Sequence, residues 1–465
     1  MLKNEFDDTI VALSTPPGIG AIGVIRLSGS LAVEIVNSVF KGKNLLQQTS
    51  HTLHFGKIEF QQQTIDEVVI GLFLAPSSYT KENVVEISCH GSPYIQQKVI
   101  EVLLKSGARL AKPGEFTMRA FLNGRFDLSQ AEAVADLIAS DSESSHRSAM
   151  QQMKGGFSLE IKKLREQLIH FASLIELELD FSEEDVEFAN RDELQLIIDR
   201  LQQNIRHLME SFRVGNVIKN GVPVVLAGRP NAGKSTLLNA LVNEERAIVS
   251  DIAGTTRDTI EVPVNIEGTI FRLIDTAGIR EASDKIEAIG VKKTYEQIKN
   301  AALLLYVFDA NDLSELEVLE DIAKLKHEAL VILLVANKCD LCDEHALGML
   351  EFSINEMTGS SYPIFEISAS EQKNILELKE YLVAAAGINK NLNDTTIVTN
   401  LRHYEALSNC NNALENVSTA LKNKVAGDFL AQDIRYALTA LSEITGDITT
   451  DDLLDNIFSK FCIGK

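Results

Sequence analysis

The amino-acid sequence predicts an α+β multidomain protein in which an α/β module is inserted into an α-helical domain. Three changes of pattern along the 465 residues support this prediction. Residues 1 to about 120 mix short β-like runs with Gly and Pro, whereas from about Leu128 apolar residues recur at helical spacing. From Val222, short apolar runs alternate with helical stretches, which indicates a parallel, doubly wound sheet. After about Ala384 the pattern is helical again.

The same patterns locate the individual elements. Strands are predicted at residues 9–13, 21–27, 68–74, 84–88, 222–227, 271–274, 303–308, 330–336 and 363–367. Helices are predicted at residues 93–106, 131–139, 159–179 and 194–212, and the acidic stretch 180–187 is interpreted as a solvated turn. We therefore predict an N-terminal domain (1–122), the inserted module (216–383) and a helical domain in two parts (123–215 and 384–465) that pack together.

Composition and charge restrict the function classes. The chain has 44 Lys and Arg against 66 Asp and Glu, and its net charge of -22 excludes a uniformly basic nucleic-acid-binding surface, although not a local basic patch. Five scattered cysteines fit a reducing compartment rather than a disulfide scaffold. Because neither an export signal nor an apolar run of membrane length is visible, we expect a cytoplasmic protein without stable membrane association.

A phosphate-binding loop is the most specific motif. Residues 228–235 read Gly-Arg-Pro-Asn-Ala-Gly-Lys-Ser, which matches G-x-x-x-x-G-K-[ST] between a predicted strand and an apolar helix. The glycines let backbone N–H groups surround the phosphates, and the helix N-terminus favours their negative charge. We expect Lys234 to contact the β- and γ-phosphates and the Ser235 hydroxyl to bind Mg²⁺.

Four further elements follow in order and indicate guanine rather than adenine. Residues 275–278 (Asp-Thr-Ala-Gly) have the form D-x-x-G, Thr256 resembles a switch threonine that binds Mg²⁺, residues 337–340 (Asn-Lys-Cys-Asp) have the form N-K-x-D, and Ser368-Ala369 resembles the base-supporting loop. The Asp340 carboxylate can accept hydrogen bonds from guanine N1–H and the N2 amine. Adenine would leave that carboxylate unpaired, at a cost of roughly 1–3 kcal/mol or more.

Two features near these motifs have alternative interpretations. Cys339 and Cys342 form a C-x-x-C, but one such pair lacks the second ligand pair of a zinc site, so Cys339 is interpreted as a small filler rather than a redox or metal residue. Ile279, directly after D-x-x-G, cannot orient the attacking water. The following stretch offers the carboxylates of Glu281, Asp284 and Glu287 for that role.

The chain as a whole resembles the MnmE (TrmE) family of tRNA-modification GTPases. The resemblance rests on the ordered motifs, on the start Thr-Pro-Pro-Gly (15–18) and the end Phe-Cys-Ile-Gly-Lys (461–465), and on two internal signatures. Those signatures are Pro-Gly-Glu-Phe-Thr-Met-Arg-Ala-Phe-Leu (113–122) and Leu-Ser-Glu-Ile-Thr-Gly (441–446). It implies a Ras-like G domain in which K⁺ replaces an arginine finger and in which paired G domains meet during the cycle.

The resemblance also assigns roles at the GTP site. Asn231 corresponds to the K⁺-coordinating asparagine, with Ser250, Ile252 and Thr255 completing the K⁺ shell, and Glu287 corresponds to the catalytic glutamate that positions water. An arginine finger from Arg257 or Arg280 is the rival mechanism. The predicted GTP-binding residues are Asn231, Ala232, Gly233, Lys234, Ser235, Thr236, Ser250, Asp251, Ile252, Ala253, Gly254, Thr255, Thr256, Asp275, Thr276, Ala277, Gly278, Asn337, Lys338, Asp340, Ser368, Ala369 and Ser370.

A one-carbon site is implied in the N-terminal domain, which forms a constitutive homodimer in the family. Arg26, Glu86 and Arg125 match the family's contacts to 5-formyl- or 5,10-methylene-tetrahydrofolate, although in family members a Lys often occupies the position of Arg125. Cys462 is the candidate catalytic thiol and Lys465 a further folate contact. From composition alone the charged residues are surface ion pairs and Cys462 a structural cysteine.

The implied reaction adds a carboxymethylaminomethyl or aminomethyl group to C5 of the tRNA wobble uridine. It requires the flavoprotein partner MnmG (GidA), in a heterotetramer or larger complex that supplies most of the tRNA contacts. We expect no dinucleotide-binding fingerprint here, so that FAD belongs to the partner. A regulatory or assembly GTPase is the alternative class, and the N-terminal domain and Cys-Ile-Gly-Lys end argue against it. A transport ATPase or kinase does not fit the N-K-x-D element.

Overall fold

The computed structural model describes residues 8–180, 191–242, 261–275, 301–311, 315–325, 330–342, 356, 362–387, 397–423 and 427–464. The chain forms two compact units. The first contains residues 1–135, 152–201 and 409–465, and the second contains residues 136–151 and 202–408. The domain boundaries proposed from the sequence, at residues 122, 215 and 383, remain predictions.

The first unit contains a seven-stranded sheet with the order β3-β4-β5-β6-β2-β1-β7. Its neighbouring strands are antiparallel, except that β7 is parallel to β1. The strands are β1 (Ile10–Leu13), β2 (Ile22–Ser28), β3 (Phe40–Lys41), β4 (Thr52–Phe60), β5 (Gln63–Phe73), β6 (Val84–His90) and β7 (Arg109–Leu110).

Two helices cover one face of this sheet. On the other face, Ile10 and Ala12 are buried against Phe116, whereas Leu53 and Phe55 are exposed. Helices α1 (Ala32–Val39) and α2 (Pro93–Lys105) pack their buried positions onto Ile25, Ile70 and Ile87 of the sheet. The predicted strands and the predicted helix of this region are confirmed within a few residues. The sequence analysis missed α1, β3, β4 and β7. Strand β4 was missed because Leu53 and Phe55 on the outward face interrupt its apolar–polar alternation.

A buried ion-pair network attaches the next helix, α3 (Glu115–Leu122), to the sheet. The Arg119 side chain is fully buried, and its Nη2 donates to Glu115 Oε1 at 3.1 Å and to Asp8 Oδ1 at 2.6 Å. Arg109 Nη2 lies 2.6 Å from the same Glu115 oxygen. Burial alone would raise the pKa of Glu115, but the two arginines and the Lys112 N–H outweigh it and hold the pKa below its usual value.

The first helical flank consists of amphipathic helices. They are α4 (Leu128–Ala139), α5 (Glu143–Met153), α6 (Gly156–Asp180) and α7 (Arg191–Asn220). On α6 the buried residues Ile161, Leu164, Leu168, Phe171 and Ile175 recur every three or four positions and so form one apolar stripe. Among the described residues, no helix combines the length and the apolar character needed to cross a membrane.

The inserted module in the second unit is built around a six-stranded sheet with the order β13-β12-β11-β8-β10-β9. Five strands are parallel, as predicted, but β9 pairs antiparallel with β10 at the edge. The strands are β8 (Val222–Ala227), β9 (Glu261–Ile266), β10 (Thr269–Asp275), β11 (Leu303–Asp309), β12 (Val331–Asn337) and β13 (Ile364–Ile367), with helices α8 (Lys234–Val242), α9 (Glu315–Leu325) and α10 (Ile375–Ala385).

Helices of the second helical flank contact helices of the first within each unit. The second flank contains α11 (Leu401–Lys422), α12 (Gly427–Thr445) and α13 (Asp451–Phe458). In the first unit α12 packs along α6, and Arg165 pairs with Asp447. In the second unit the rings of Phe212 and Tyr404 stack with centroids 4.7 Å apart.

The spacing G-x-G-x-x-G does occur in this chain, from Gly18 to Gly23, contrary to our expectation. In a dinucleotide-binding fold such a run leads from a strand into a helix N-terminus. Here the run leads into strand β2 instead of a helix. The spacing is therefore not a dinucleotide-binding fingerprint.

Candidate functional site

The phosphate-binding loop lies where its motif predicts, between β8 and α8. Gly228 has φ +145°, and a Cβ there would overlap the carbonyl oxygen of Val307 in β11. Gly233 has φ +92°, and a Cβ there would overlap the side-chain amide of Asn337. Both positions therefore require glycine for close approach as well as for backbone conformation.

Lys234 begins helix α8 and is buried within the loop. Its Nζ donates to the carbonyl oxygens of Gly228 and Arg229, each at 2.8 Å. The next two residues, Ser235 and Thr236, are exposed at the first turn of α8. The ammonium group, the backbone N–H groups of the helix start and the Ser235 hydroxyl thus lie together where phosphates and Mg²⁺ bind in loops of this type.

A buried asparagine joins this loop to the predicted base-binding loops. Asn337, the last residue of β12, donates from Nδ2 to the carbonyl oxygen of Ala232 at 2.8 Å. Its Oδ1 accepts a hydrogen bond from the Ala369 N–H at 3.1 Å. One side chain therefore fixes the distance between the phosphate loop and the loop at residues 368–370.

The remaining residues of the N-K-x-D element are arranged for access to a base. Lys338 adopts φ +67°, and its Nζ pairs with Asp309 Oδ2 at 2.6 Å. Burial would raise the pKa of Asp309, but Lys338 and Asn311 outweigh it and lower the pKa. The Asp340 side chain is exposed, and the Ser368 hydroxyl lies 3.2 Å from that of Ser370. The predicted base-binding residues in β12, β13 and their following turns are thus brought together.

Arg229 has a role that the sequence did not reveal. Its Nη1 pairs with Glu317 at 2.6 Å and its Nε with Asp321 at 2.9 Å, both on α9. The Tyr306 hydroxyl donates to the same Asp321 oxygen at 2.7 Å, and burial together with that carboxylate raises the pKa of Tyr306. The guanidinium group therefore fixes the phosphate loop to α9 instead of facing the phosphates.

The cysteine pair fits the filler interpretation for Cys339, which is 9% exposed. Cys342 Sγ donates to Asn311 Oδ1 at 3.1 Å, and burial raises the pKa of both thiols. Within the described ranges no group of three or more metal-ligating side chains occurs.

Several predicted residues lie outside the described ranges. Asp275 is placed at the end of β10, beside Leu226 of β8, but only its backbone is described. The predicted residues outside the described ranges are Ser250, Asp251, Ile252, Ala253, Gly254, Thr255, Thr256, Thr276, Ala277, Gly278, Glu287 and Lys465, as are Glu281, Asp284, Arg257 and Arg280 of the alternatives.

The predicted one-carbon residues come together on the outward face of the N-terminal sheet. Arg26 in β2 lies opposite Glu86 in β6 and donates to its Oε1 from Nε at 3.0 Å and from Nη2 at 2.8 Å. The Arg26 guanidinium carbon lies 5.1 Å from the centroid of the Tyr79 ring. Both arginine donors use one carboxylate oxygen, and within the described residues Glu86 Oε2 has no hydrogen-bond partner.

A cleft of about 570 Å³ adjoins this pair. Glu86, Arg125 and Tyr79 line it, together with Phe73 and Ser78. Arg125 donates to the Ser78 carbonyl at 2.6 Å, and its guanidinium carbon lies 5.1 Å from the Tyr79 centroid. Tyr79 therefore lies between two arginines, and nothing in its surrounding sequence predicted this position.

The segment that carries Cys462 lies against the same part of the first unit. The Gly464 carbonyl accepts a hydrogen bond from Ser14 Oγ at 3.2 Å and a longer one from Arg26 Nη1 at 3.5 Å. Cys462 is exposed, and its carbonyl accepts from the Gly114 N–H at 3.4 Å. The backbone of this segment therefore contacts Arg26, and the proximity of the Cys462 thiol and Lys465 to folate remains a prediction.

A phosphate-binding loop before a helix N-terminus, joined through Asn337 to an N-K-x-D element, defines a P-loop GTPase. Two family descriptions match the chain: "MnmE helical domain" over residues 128–462 and "GTP-binding protein TrmE N-terminus" over residues 9–125. The chain belongs to the MnmE family of tRNA modification GTPases. It is a GTP hydrolase that acts in tRNA modification.

Relatives of this family match over almost the whole chain. The tRNA modification GTPase MnmE of Cytophaga hutchinsonii is 57% identical over 98% of this chain and 98% of its own length. That of Christiangramia forsetii is 51% identical over 99% of this chain and 100% of its own length. A crystal structure of Aquifex aeolicus Era bound to GDP·AlF4⁻ covers 41% of this chain and 66% of its own, with 27% identity and a TM-score of 0.31.

Proposed function

We propose that this GTPase is activated by K⁺ and works with an FAD-containing MnmG (GidA) partner. Together they install the carboxymethylaminomethyl or aminomethyl group at C5 of the tRNA wobble uridine, with carbon from 5-formyl- or 5,10-methylene-tetrahydrofolate. The observation that carries the proposal is the Arg26–Glu86 pair beside an open cleft, in a chain that also has a GTP site. A GTPase that only switches partners has no need of such a pair.

The K⁺ role is supported by Asn231. This residue is exposed in the phosphate loop at φ +63°, and its side-chain amide makes no hydrogen bond to the described residues. Its amide oxygen would be one ligand of the cation, and carbonyl oxygens of Ser250, Ile252 and Thr255 would complete the shell. Oxygen ligands of this kind are those that an alkali cation prefers. The cation would offset charge that develops between the β- and γ-phosphates, while Mg²⁺ binds at Ser235 and Thr256.

Steady-state GTP hydrolysis at equal ionic strength tests this role. K⁺ should raise kcat strongly over Na⁺, and Asn231→Ala should abolish the difference between the two salts. Asn216→Ala, which changes an exposed amide on α7, is the matched control and should keep the K⁺ dependence. Equal rates in both salts for the unmodified protein would contradict the proposal.

Glu287 is proposed to position the attacking water, because Ile279 cannot. Glu287→Ala should bind GTP with nearly unchanged affinity and hydrolyse it about 10²-fold or more slowly, the range of a lost general base. Loss of GTP affinity would instead indicate a structural role.

The folate proposal rests on Glu86 Oε2, which accepts no hydrogen bond from the described residues. A pterin presents N–H and amino donors that a carboxylate can accept, and Arg125 in the same cleft suits a negatively charged glutamate tail. Titration calorimetry with 5-formyl-tetrahydrofolate should show about 10-fold or greater loss of affinity for Glu86→Gln. Glu67→Gln, which removes an exposed carboxylate paired with Lys57 at 3.4 Å, should bind normally.

A homodimer through the N-terminal sheet is supported by exposed apolar residues on the face that carries Arg26 and Glu86. Leu53 is 74% exposed and Phe55 is 68% exposed on β4. Leu53 lies in one row across the sheet with Gly71, Glu86 and Arg26. A second copy would cover this apolar surface. Phe55→Glu should shift the mass measured by light scattering from dimer to monomer; an unchanged mass would contradict this interface.

The flavoprotein partner and its tRNA contacts are supported by the chain's net charge of -22, which disfavours unaided tRNA binding. Wobble-uridine nucleosides should lack the modification in a strain without this chain, as measured by mass spectrometry. Cys462→Ser should fail to restore it if the thiol is essential. Purification through a tag on this chain should recover flavin absorbance together with the partner.

A further inference from the structure

Residues 459–464, here called the tail segment, are attached to the N-terminal sheet by backbone groups. The Gly114 N–H donates to the Cys462 carbonyl, and Ser14 Oγ and Arg26 Nη1 donate to the Gly464 carbonyl. Gly464 is buried, although the neighbouring Cys462 is exposed. The position of the tail segment therefore depends on close contacts made by its own backbone.

Gly464 can occupy its position only because it lacks a side chain. Its φ is +96°, and a Cβ would overlap the Leu13 carbonyl oxygen and lie 3.1 Å from Ser14 Cα. These are backbone atoms of β1 and the turn that follows it, so they cannot move as a flexible side chain would. Any other residue would have to lift this part of the tail segment away from β1.

Gly114 provides a second contact of the same kind. It has φ +67°, and a Cβ would lie 2.5 Å from the Phe458 carbonyl oxygen and 3.0 Å from the Cβ of Phe461. Phe461 in turn packs on Phe458, with ring centroids 5.3 Å apart. Two glycines more than 300 residues apart in sequence thus hold the tail segment at both ends of Cys462.

We propose that Gly464 is a positioning residue, which seats the tail segment so that Cys462 is held beside Arg26 of the one-carbon site. The seated carbonyl also contacts the Arg26 guanidinium, whose Nε and Nη2 hold Glu86. Release of the tail segment would therefore remove one contact of Arg26 and let Cys462 move away from it. This inference rests on the proposed roles of Arg26 and Cys462.

Tail release can be measured directly, because the chain contains no tryptophan. In the full-length protein, Phe461→Trp places a single tryptophan at the half-buried Phe461 position, and acrylamide quenching of its selectively excited emission reports its exposure. Gly464→Ala in this background should weaken the seated state by about 5- to 30-fold or more, from the cost of an alanine at positive φ alone. Gly107→Ala is the matched control, since Gly107 has φ +107° but open space around its Cα.

tRNA modification and GTP hydrolysis are then compared between variants that weaken the attachment of the tail segment in different ways. Gly464→Ala and Ser14→Ala should reduce tRNA modification in cells while GTP hydrolysis stays unchanged, and Ser14→Thr, which keeps the hydroxyl, should restore modification. Hydrogen exchange of a peptide that contains Gly114 should quicken in the first two variants only. If Gly464→Ala fails to fold, Ser14→Ala gives the same test without added volume.

Unchanged quenching in Gly464→Ala would show that Gly464 does not hold the tail segment in place. Full tRNA modification despite increased quenching would refute the positioning role. Equal activity of Ser14→Ala and Ser14→Thr would also overturn it. If the unmodified protein fails to bind 5-formyl-tetrahydrofolate, the proposed function fails while the quenching result still decides the seat.

Discussion

Replacing Asn337 by Ala removes the buried amide that joins two loops of the GTP site. Asn337 is 2% exposed, and its side chain satisfies the Ala232 carbonyl at 2.8 Å and the Ala369 N–H at 3.1 Å. Alanine leaves both groups without these partners. A buried unsatisfied group costs about 1–3 kcal/mol, so the pair costs about 2–6 kcal/mol if neither loop relaxes.

Even the lower figure, about 2 kcal/mol, corresponds to roughly 30-fold in a dissociation constant. Titration of the full-length protein with a fluorescent GDP analogue measures that change, and urea unfolding measures the part that appears as lost stability. Asn311→Ala is the control, because among the described residues its exposed amide contacts Asp309, the Lys338 carbonyl and Cys342 Sγ, but neither the phosphate loop nor residues 368–370. Wild-type nucleotide affinity together with an unchanged urea midpoint for Asn337→Ala would refute the bridging role.

Three further predictions concern other parts of the fold. Arg229→Ala should lower kcat less than about 10-fold, against the 10³–10⁵ of an arginine finger, because its guanidinium is held by two carboxylates of α9. Gly228→Ala should lower the free energy of unfolding in urea by about 1–3 kcal/mol or more. Gly387→Ala is the control: this glycine has φ +69° but open space around it, so its substitution measures the backbone strain without any steric overlap. Because the pKa of Glu115 is lower in the folded state, its ionised carboxylate stabilises the fold above about pH 4.5, and this stabilisation is lost as the pH falls through the folded-state pKa. Glu115→Gln should therefore weaken the dependence of the free energy of unfolding in urea on pH in the acid range.

Much of the fold could be predicted because its signals are local. Buried parallel strands such as Leu303–Asp309 are continuous apolar runs, and the structure places them within a residue or two of the prediction. Strand β9 was missed because it is an antiparallel edge strand that contains Pro263, a residue that argues against a strand. Edge position and strand direction depend on partners that a local pattern does not specify.

The candidate sites likewise contain parts that could be predicted from the sequence and parts that could not. The phosphate loop and N-K-x-D are contiguous motifs, so their positions were predictable from residue order. The partners of Arg229 lie 88 and 92 residues away, and Ser14 lies 450 residues from Gly464. Such contacts follow from the tertiary fold, and no spacing in the sequence indicates them.

The one-sided contact between Arg26 and Glu86 has a thermodynamic consequence for whatever ligand enters the cleft. Because both guanidinium donors converge on Oε1, a ligand donor can reach the second oxygen without breaking the ion pair. The carboxylate is also already oriented, so little conformational entropy remains to be lost when the ligand arrives. Recognition at this position is therefore expected to proceed with a preorganised acceptor whose rotamer is the same in the free and occupied states.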